Sequence, residues 1–277
     1  VPELPEVETV RRDLQAELVG RTIATLDPRG VRTFRRTLDV ADVVTRTTGR
    51  TVTAVDRRGK YLLVRLDSPD VIVVHLRMSG QLLMADPGRA LPKHTHATFT
   101  FSSGTQLRFV DPRTFGEVFV STVGPDGAVP ELAHLGPDPL DPRFDVTALR
   151  SVTAGRRTTV KALLLDQRAV AGIGNLYSDE ILWLARIRHS RRADGLTRPQ
   201  VVRLYESMVT TLSAAIAHRG SSLADEQYRD LYGAVGAYQH RHNVYAREGG
   251  PCPRCGGTIR RVKAVGRSTY FCPRCQR

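Results

Sequence analysis

The sequence predicts an α+β chain in two lobes, and three observations predict it. An amphipathic helix opens the chain and gives way to short strand-like runs up to about residue 136. A Pro- and Asp-rich segment then marks a change to helical periodicity. All four cysteines fall in the last tenth of the 277 residues, as two C-x-x-C pairs. Strands first, helices next and a separate cysteine module last is the order of a segregated α+β architecture.

The opening helix carries Val7, Val10, Leu14 and Leu18 at helical spacing, one apolar stripe, and Gly20 is its stop. Thr51–Val55, Tyr61–Leu66, Val71–Leu76, Thr98–Phe101, Gln106–Phe109 and Glu117–Ser121 read as strands separated by Gly, Pro, Asp and Ser. Several short strands with turn signals predict a β-sandwich over residues 1–136. The run Gly136–Asp145 reads as a linker, assigned to residues 137–146. Helices are expected over Thr158–Leu165, Leu176–Ala185 and about Arg198–His218. In the last, Thr197 and Gln200 suit a capping box, Pro199 sits in the first turn and Gly220 ends the run. Residues 221–246 show no period and read as a long loop with a short connector. The helical region therefore spans 147–246, and the cysteine module 247–277.

The net charge of +13 and pI near 10.2 favour an acidic partner, nucleic acid before others. No apolar run approaches the roughly 18 residues of a membrane span, and the acidic, amphipathic start is no signal peptide. The expectation is a cytoplasmic protein with no membrane partner. In a reducing compartment paired C-x-x-C turns are a metal site before a disulfide framework. Cys252, Cys255, Cys272 and Cys275, with sixteen residues between the pairs, supply four thiolates for one structural Zn2+. The segment between them folds as a zinc-ribbon hairpin, Thr258–Arg267 then Ser268–Phe271. Its cations, Arg267 among them, suit phosphate contact or a solvated face.

Pro2-Glu3-Leu4-Pro5-Glu6-Val7-Glu8-Thr9, Gly172-Ile173-Gly174-Asn175-Leu176-Tyr177 and Gly266-Arg267-Ser268-Thr269-Tyr270-Phe271-Cys272 occur in that order. Together they resemble the N-terminal signature, the helix–two-turn–helix hairpin and the zinc-finger end of formamidopyrimidine-DNA glycosylase. The resemblance covers the whole chain. It implies a base-excision-repair DNA glycosylase with AP lyase activity that removes oxidised purines, 8-oxoguanine and formamidopyrimidines. Its partner would be double-stranded DNA holding such lesions or abasic sites, bound at the bacterial nucleoid in a basic cleft between the lobes; a monomer is the default expectation, which no residue pattern addresses.

The resemblance makes the Pro2 amine the nucleophile that forms a Schiff base, followed by β,δ-elimination. A secondary amine of low enough pKa stays neutral and attacks; the other reading of Pro2 is a helix-start proline. Val1 precedes it, and is expected to be a start codon translated as methionine and removed. Glu3 is implied as the general acid on the sugar oxygen, while a first-turn Glu also complements the helix dipole. Glu6 is a secondary candidate near the lesion. Lys60 and Arg267 are implied to serve the elimination steps. His94, Arg113, Arg156 and Asn175 are implied DNA contacts, with Arg156 equally readable as one of a solvated pair.

Base eversion leaves a hole in the duplex that apolar wedges fill. Met78, Arg113 and Phe115 resemble the family's void-filling set; on type alone Met78 and Phe115 also suit a core. Residues 221–236 correspond to a lesion-capping region. Two alternatives follow from the same residues. Retention of Val1 would make the chain a non-catalytic damage binder, and an endonuclease VIII-like member would act on oxidised pyrimidines.

Overall fold

The computed structural model describes residues 2–37, 39–223 and 228–277. Val1 and residues 224–227 of the expected lesion-capping region lie outside them. By internal contacts the chain forms two compact units, Val1–His134 with His218–Ala237, and Leu135–Ala217 with Tyr238–Arg277.

The first unit opens with α1, Leu4–Leu18, whose predicted stripe of Val7, Val10, Leu14 and Leu18 is buried. Glu3 is the N-cap, and it forms a capping box with Glu6. That box satisfies first-turn N–H groups that a helix cannot pair internally. Val19 ends the helix in an extended conformation and Gly20, at φ +83°, turns the chain away.

There follow β1 (Ile23–Pro28), α2 (Val40–Thr47), β2 (Val52–Arg58), β3 (Tyr61–Leu66), β4 (Asp70–His75), β5 (Gln81–Ala85), β6 (Thr95–Phe101), β7 (Gln106–Val110) and β8 (Glu117–Thr122). The strands make two antiparallel four-stranded sheets, ordered β1-β6-β7-β5 and β2-β3-β4-β8. Leu62 and Val64 of one sheet and Phe99 and Phe109 of the other share a buried core with the α1 stripe. This is the sandwich with a leading helix that the sequence predicts. Sequence patterning missed β1, α2 and β5. A register shift between Ile23 and Thr25 breaks the period-two signal of β1.

Residues 218–237 complete this unit. Tyr228 and Leu231 enter its core, and Met84 N–H donates to the Leu231 carbonyl at 3.0 Å.

The second unit contains α3 (Val146–Thr153), α4 (Val160–Leu165), α5 (Asn175–Ala185) and α6 (Arg198–Ala217), then the hairpin β9 (Arg260–Ala264) and β10 (Arg267–Phe271). The aspartates that read as linker residues shape turns here. Asp138 and Asp141 accept N–H bonds from Leu140 and Arg143, and Asp145 caps α3 through Ala148 at 2.8 Å. The segment packs closely, since a Cβ on Gly136 would lie 2.5 Å from the Arg168 carbonyl oxygen. In α6 the predicted face of Val201, Leu204, Met208, Leu212 and Ile216 is buried, and Gln200 Oε1 accepts Thr197 N–H at 2.9 Å. Arg267 begins the second arm of the hairpin rather than ending the first. Among the described residues, no helix is long and apolar enough to cross a membrane.

Candidate active site and zinc centre

Pro2, Glu3 and Glu6 are all buried at the start of α1. The Glu6 carboxylate is shared. One oxygen accepts Glu3 N–H at 2.8 Å, and the other accepts Ser221 N–H at 2.7 Å. Arg219, just beyond α6, forks onto Asp13 of α1 and also reaches Asp230. The base of the expected lesion-capping region is therefore fixed to α1 at two points, at Glu6 next to the predicted nucleophile and acid and at Asp13 further along the helix. Position in the opening motif marked Glu6; its bond to Ser221, 215 residues away, had no sequence signal.

Lys60 sits in the β2–β3 turn, where Gly59 has φ +57°. Glu8 of α1 bonds Arg57 Nε at 3.0 Å, and Arg57 bonds the Gly59 carbonyl at 3.0 Å, so this turn is tied to the same helix. Arg11, Arg12 and Arg57 outweigh the burial of Glu8 and hold its pKa below the ordinary value.

Met78 lies between β4 and β5, and Arg113 and Phe115 lie between β7 and β8. Met78 and Phe115 are each 36% exposed, which excludes core packing. The Arg113 guanidinium lies 5.1 Å from the Phe115 ring centre. Buried Asp111 joins the two loops. It accepts Ser79 Oγ–H at 2.5 Å, Arg113 N–H at 3.2 Å and Gly116 N–H at 2.6 Å. Its own N–H donates to the carbonyl of exposed His94, which has φ +66°. The implied void-filling trio and His94 thus converge on one aspartate, although Asp111 drew no attention in the sequence.

A second carboxylate, Glu117, gathers Arg35, Arg36 and Arg77 at 2.5–2.6 Å. Arg35 also donates to the Phe115 and Gly116 carbonyls at 2.8 and 2.9 Å. These charges hold Glu117 below its ordinary pKa despite burial. Neighbouring His75 accepts Arg77 N–H at Nδ1, 2.9 Å away, and meets Tyr61 edge to face at 4.4 Å. Burial first, then the positive charges of Arg77, Lys60, Arg36 and Arg35, push its pKa well below 6.5, so it is neutral with the proton on Nε2. His75, Arg77 and Glu117 were not among the sequence candidates.

In the second unit Gln167 shapes the glycine turn, accepting Gly172 N–H at 2.9 Å and donating to the Ile173 carbonyl at 2.8 Å. Asn175 follows at the first turn of α5, and its Nδ2 donates to the Ser268 carbonyl at 2.9 Å, next to exposed Arg267. Those two predicted residues are brought together. Arg156 instead forms a half-exposed ion pair with Asp166 at 3.7 Å. Two acidic residues of α5 without a sequence assignment hold the cysteine module and the segment leading into it. Asp179 bonds Lys161 Nζ at 2.5 Å, a fully buried pair, and accepts the N–H of half-buried Tyr270 at 2.9 Å. The Glu180 carboxylate accepts the N–H groups of Asn243, Val244 and Tyr245 at 2.9–3.0 Å.

Cys252, Cys255, Cys272 and Cys275 place their sulfurs within 4.8 Å of one another, and none is in a disulfide. Cross-knuckle separations of 3.5 and 3.9 Å bracket the spacing of about 3.8 Å that four thiolates adopt around one tetrahedral Zn2+. The residues fit one structural zinc, with no position open to substrate.

Sandwich, helical unit and four-thiolate ribbon follow one another along the chain. Family models match in order along the chain: the formamidopyrimidine-DNA glycosylase N-terminal domain at residues 1–118, its H2TH domain at 135–227 and the zinc finger found in FPG and IleRS at 249–277. The chain belongs to the formamidopyrimidine-DNA glycosylase family. It is 46% identical to formamidopyrimidine-DNA glycosylase of Salinispora arenicola, covering 100% of this chain and 96% of that one. Against the Streptomyces avermitilis relative it is 44% identical, with 100% and 98% covered. The crystal structure of MutM (Fpg) from Thermus thermophilus superposes with a TM-score of 0.87 at 40% identity, over 99% of this chain and 98% of that one. Lactococcus lactis Fpg in complex with abasic-site DNA gives 0.90 at 34% identity, with 99% of each chain covered.

Proposed function

We propose that this chain is a bifunctional DNA glycosylase and AP lyase of base-excision repair, which excises oxidised purines through the amine of Pro2. One observation carries the reading: Pro2 and Glu3 sit buried at the head of α1, in a chain that matches DNA-bound Lactococcus lactis Fpg along its whole length. The Pro2 nitrogen attacks the anomeric carbon, the C–N bond to the damaged base breaks, and Glu3 protonates the sugar oxygen as the ring opens. The resulting iminium acts as an electron sink. Loss of the 3′ and then the 5′ phosphate follows, with Lys60 and Arg267 assisting. An amide nitrogen cannot attack, so the acting protein has a free Pro2 amine and lacks Val1.

His94, Arg113, Arg156 and Asn175 contact DNA in this reading, and Met78, Arg113 and Phe115 fill the space left by the everted nucleotide. Exposure of Met78 and Phe115 and the shared anchor of their loops on Asp111 support that role. Zinc holds the ribbon and takes no part in bond breaking. The protein acts as a monomer, in the cytoplasm, on double-stranded DNA.

The test is borohydride reduction of the protein mixed with an 8-oxoguanine:cytosine duplex, then peptide mapping. A cross-link on Pro2 is expected. No cross-link to this duplex or to an abasic one, from protein with a free proline terminus and bound zinc, overturns the assignment. A second reading extends the substrate to oxidised pyrimidines, since a relative, wild-type Lactococcus lactis Fpg, has been crystallised with DNA containing one. Parallel cleavage of 8-oxoguanine and thymine glycol duplexes separates the two.

A further inference from the structure

Trp183 is the only tryptophan of the chain, and it lies near the C-terminal end of α5, buried against the cysteine module. Its indole N–H points at Cys252 Sγ, 3.4 Å away. A buried indole N–H needs an acceptor, and among the described residues this sulfur is the one it meets. Arg254, between the two cysteines of the first knuckle, stacks its guanidinium 4.0 Å from the Trp183 ring centre. The same guanidinium donates to the Trp183 and Leu184 carbonyls at 3.0 and 3.4 Å, at the negative end of the helix.

Asn175, Asp179 and Trp183 are four residues apart and so lie along one face of α5. Each makes a polar bond to the cysteine module: Asn175 to Ser268, Asp179 to Tyr270 and Trp183 to Cys252. The last of the three falls on a metal ligand. Four thiolates around Zn2+ carry a net charge of −2, and outer donors that share this charge hold such ligands in place.

We propose that Trp183 is an outer-shell donor of the zinc site, its indole N–H stabilising the Cys252 thiolate and slowing loss of the metal. Plain packing is the competing role, and the two differ in what they do to sulfur electrons. A hydrogen bond lowers the energy of the thiolate lone pair. It therefore raises the energy needed to move an electron from sulfur to a metal that can accept one.

The experiment uses the full chain with Co2+ in place of Zn2+, comparing wild type with Trp183→Phe, which keeps an aromatic ring and removes the donor. The sulfur-to-cobalt charge-transfer band is expected to move to lower energy in the variant. In the zinc-loaded proteins, transfer of metal to a chelator is expected to be roughly tenfold faster. A band that stays in place overturns the proposal, whatever the transfer rate, because packing alone does not tune the lone pair. If Trp183→Phe does not fold, the wild type suffices. Loaded with a spin-active cadmium isotope, its one indole proton should show coupling to the metal through the hydrogen bond, and absence of that coupling overturns the proposal as well.

Discussion

Glu6 and Ser221 meet through a 2.7 Å hydrogen bond that joins the first turn of the chain to a loop more than two hundred residues later. The other Glu6 oxygen holds the N–H of Glu3, so one side chain positions both the implied acid and the base of the capping region. Replacing it with Gln leaves one acceptor oxygen and turns an NH2 group toward one of the two N–H donors. Leaving a buried group unsatisfied costs about 1–3 kcal/mol. Glu6→Gln should therefore lower single-turnover base excision about 10–100-fold while duplex affinity changes only a few-fold. Gly220→Ala should be worse for folding, since its φ of +76° disfavours a side chain and the added Cβ would lie 2.7 Å from Glu6 Oε1. Stopped-time assays on 8-oxoguanine DNA, alongside thermal melts, check both; an unchanged excision rate in Glu6→Gln removes the positioning role.

Asp111 makes a comparable prediction for the void-filling loops. Its carboxylate accepts three bonds, from Ser79, Arg113 and Gly116. Asp111→Asn sets an NH2 group against at least one of those donors, at a cost of about 1–3 kcal/mol. The wedge should lose definition more than the chemistry does. Cleavage of an 8-oxoguanine duplex should fall about tenfold or more, while nicking of a preformed abasic site in single-stranded DNA, which has no void to fill, stays near wild type. Equal losses on the two substrates would place Asp111 in the fold alone.

What could be read from the sequence divides along a physical line. The α1 stripe and the α6 face were legible because local periodicity reports which side of an element is buried, and strand β3 because it is a short apolar run that starts at a glycine turn. The four cysteines were legible because metal geometry requires a fixed spacing. Pro2 and Glu3 came from motif resemblance. Asp111, Glu117 and Asp179 stayed hidden for a common reason. Each is an acidic residue with a partner brought close only by the tertiary fold: the Ser79 hydroxyl for Asp111, Arg77 for Glu117 and the Tyr270 N–H for Asp179. The short α2, rich in β-branched residues, and bulged β1 escaped because their local signals are weak.

His75 gives a pH prediction with a definite sign. Its folded pKa lies well below 6.5, through burial and the surrounding cations. Below about pH 6.5 the unfolded chain binds a proton that the folded chain refuses, so stability is flat above that pH and declines beneath it. The contribution is up to about 1.4 kcal/mol per pH unit until the folded pKa is reached. His75→Phe keeps an aromatic edge for Tyr61 but gives up the acceptor of Arg77 N–H. The variant should be less stable than wild type near neutral pH, with the gap narrowing as pH falls to about 5.5. Denaturant melts at several pH values test this, and parallel curves for the two proteins would mean that His75 binds its proton as readily in the fold as in the unfolded chain.

Lys161 and Asp179 form a fully buried ion pair, Nζ to Oδ1 at 2.5 Å, and Asp179 also carries the N–H of Tyr270 in the zinc hairpin. Burial pushes the Asp179 carboxyl up, against the downward pull of Lys161 and the Tyr270 N–H, to about 7. Removing the lysine takes away the larger of those two restraints. Lys161→Met should cost about 3–5 kcal/mol near pH 8, because a carboxylate is left in the interior with one hydrogen bond. At lower pH that carboxyl takes up a proton which the unfolded chain, with an ordinary Asp pKa, does not bind. Wild-type Asp179 takes up its own proton only below about 7, so the penalty of Lys161→Met should shrink as pH falls from alkaline values toward about 7 and stay level beneath it. The double variant Lys161→Met/Asp179→Leu removes both charges and should recover much of the loss. It should still fall short of wild type by about 1–3 kcal/mol, because Tyr270 N–H loses its acceptor. Denaturant melts of the four proteins close the cycle. Additive losses, with the double as unstable as the two single variants summed, would show that the pair is not coupled and that Asp179 acts on the hairpin alone.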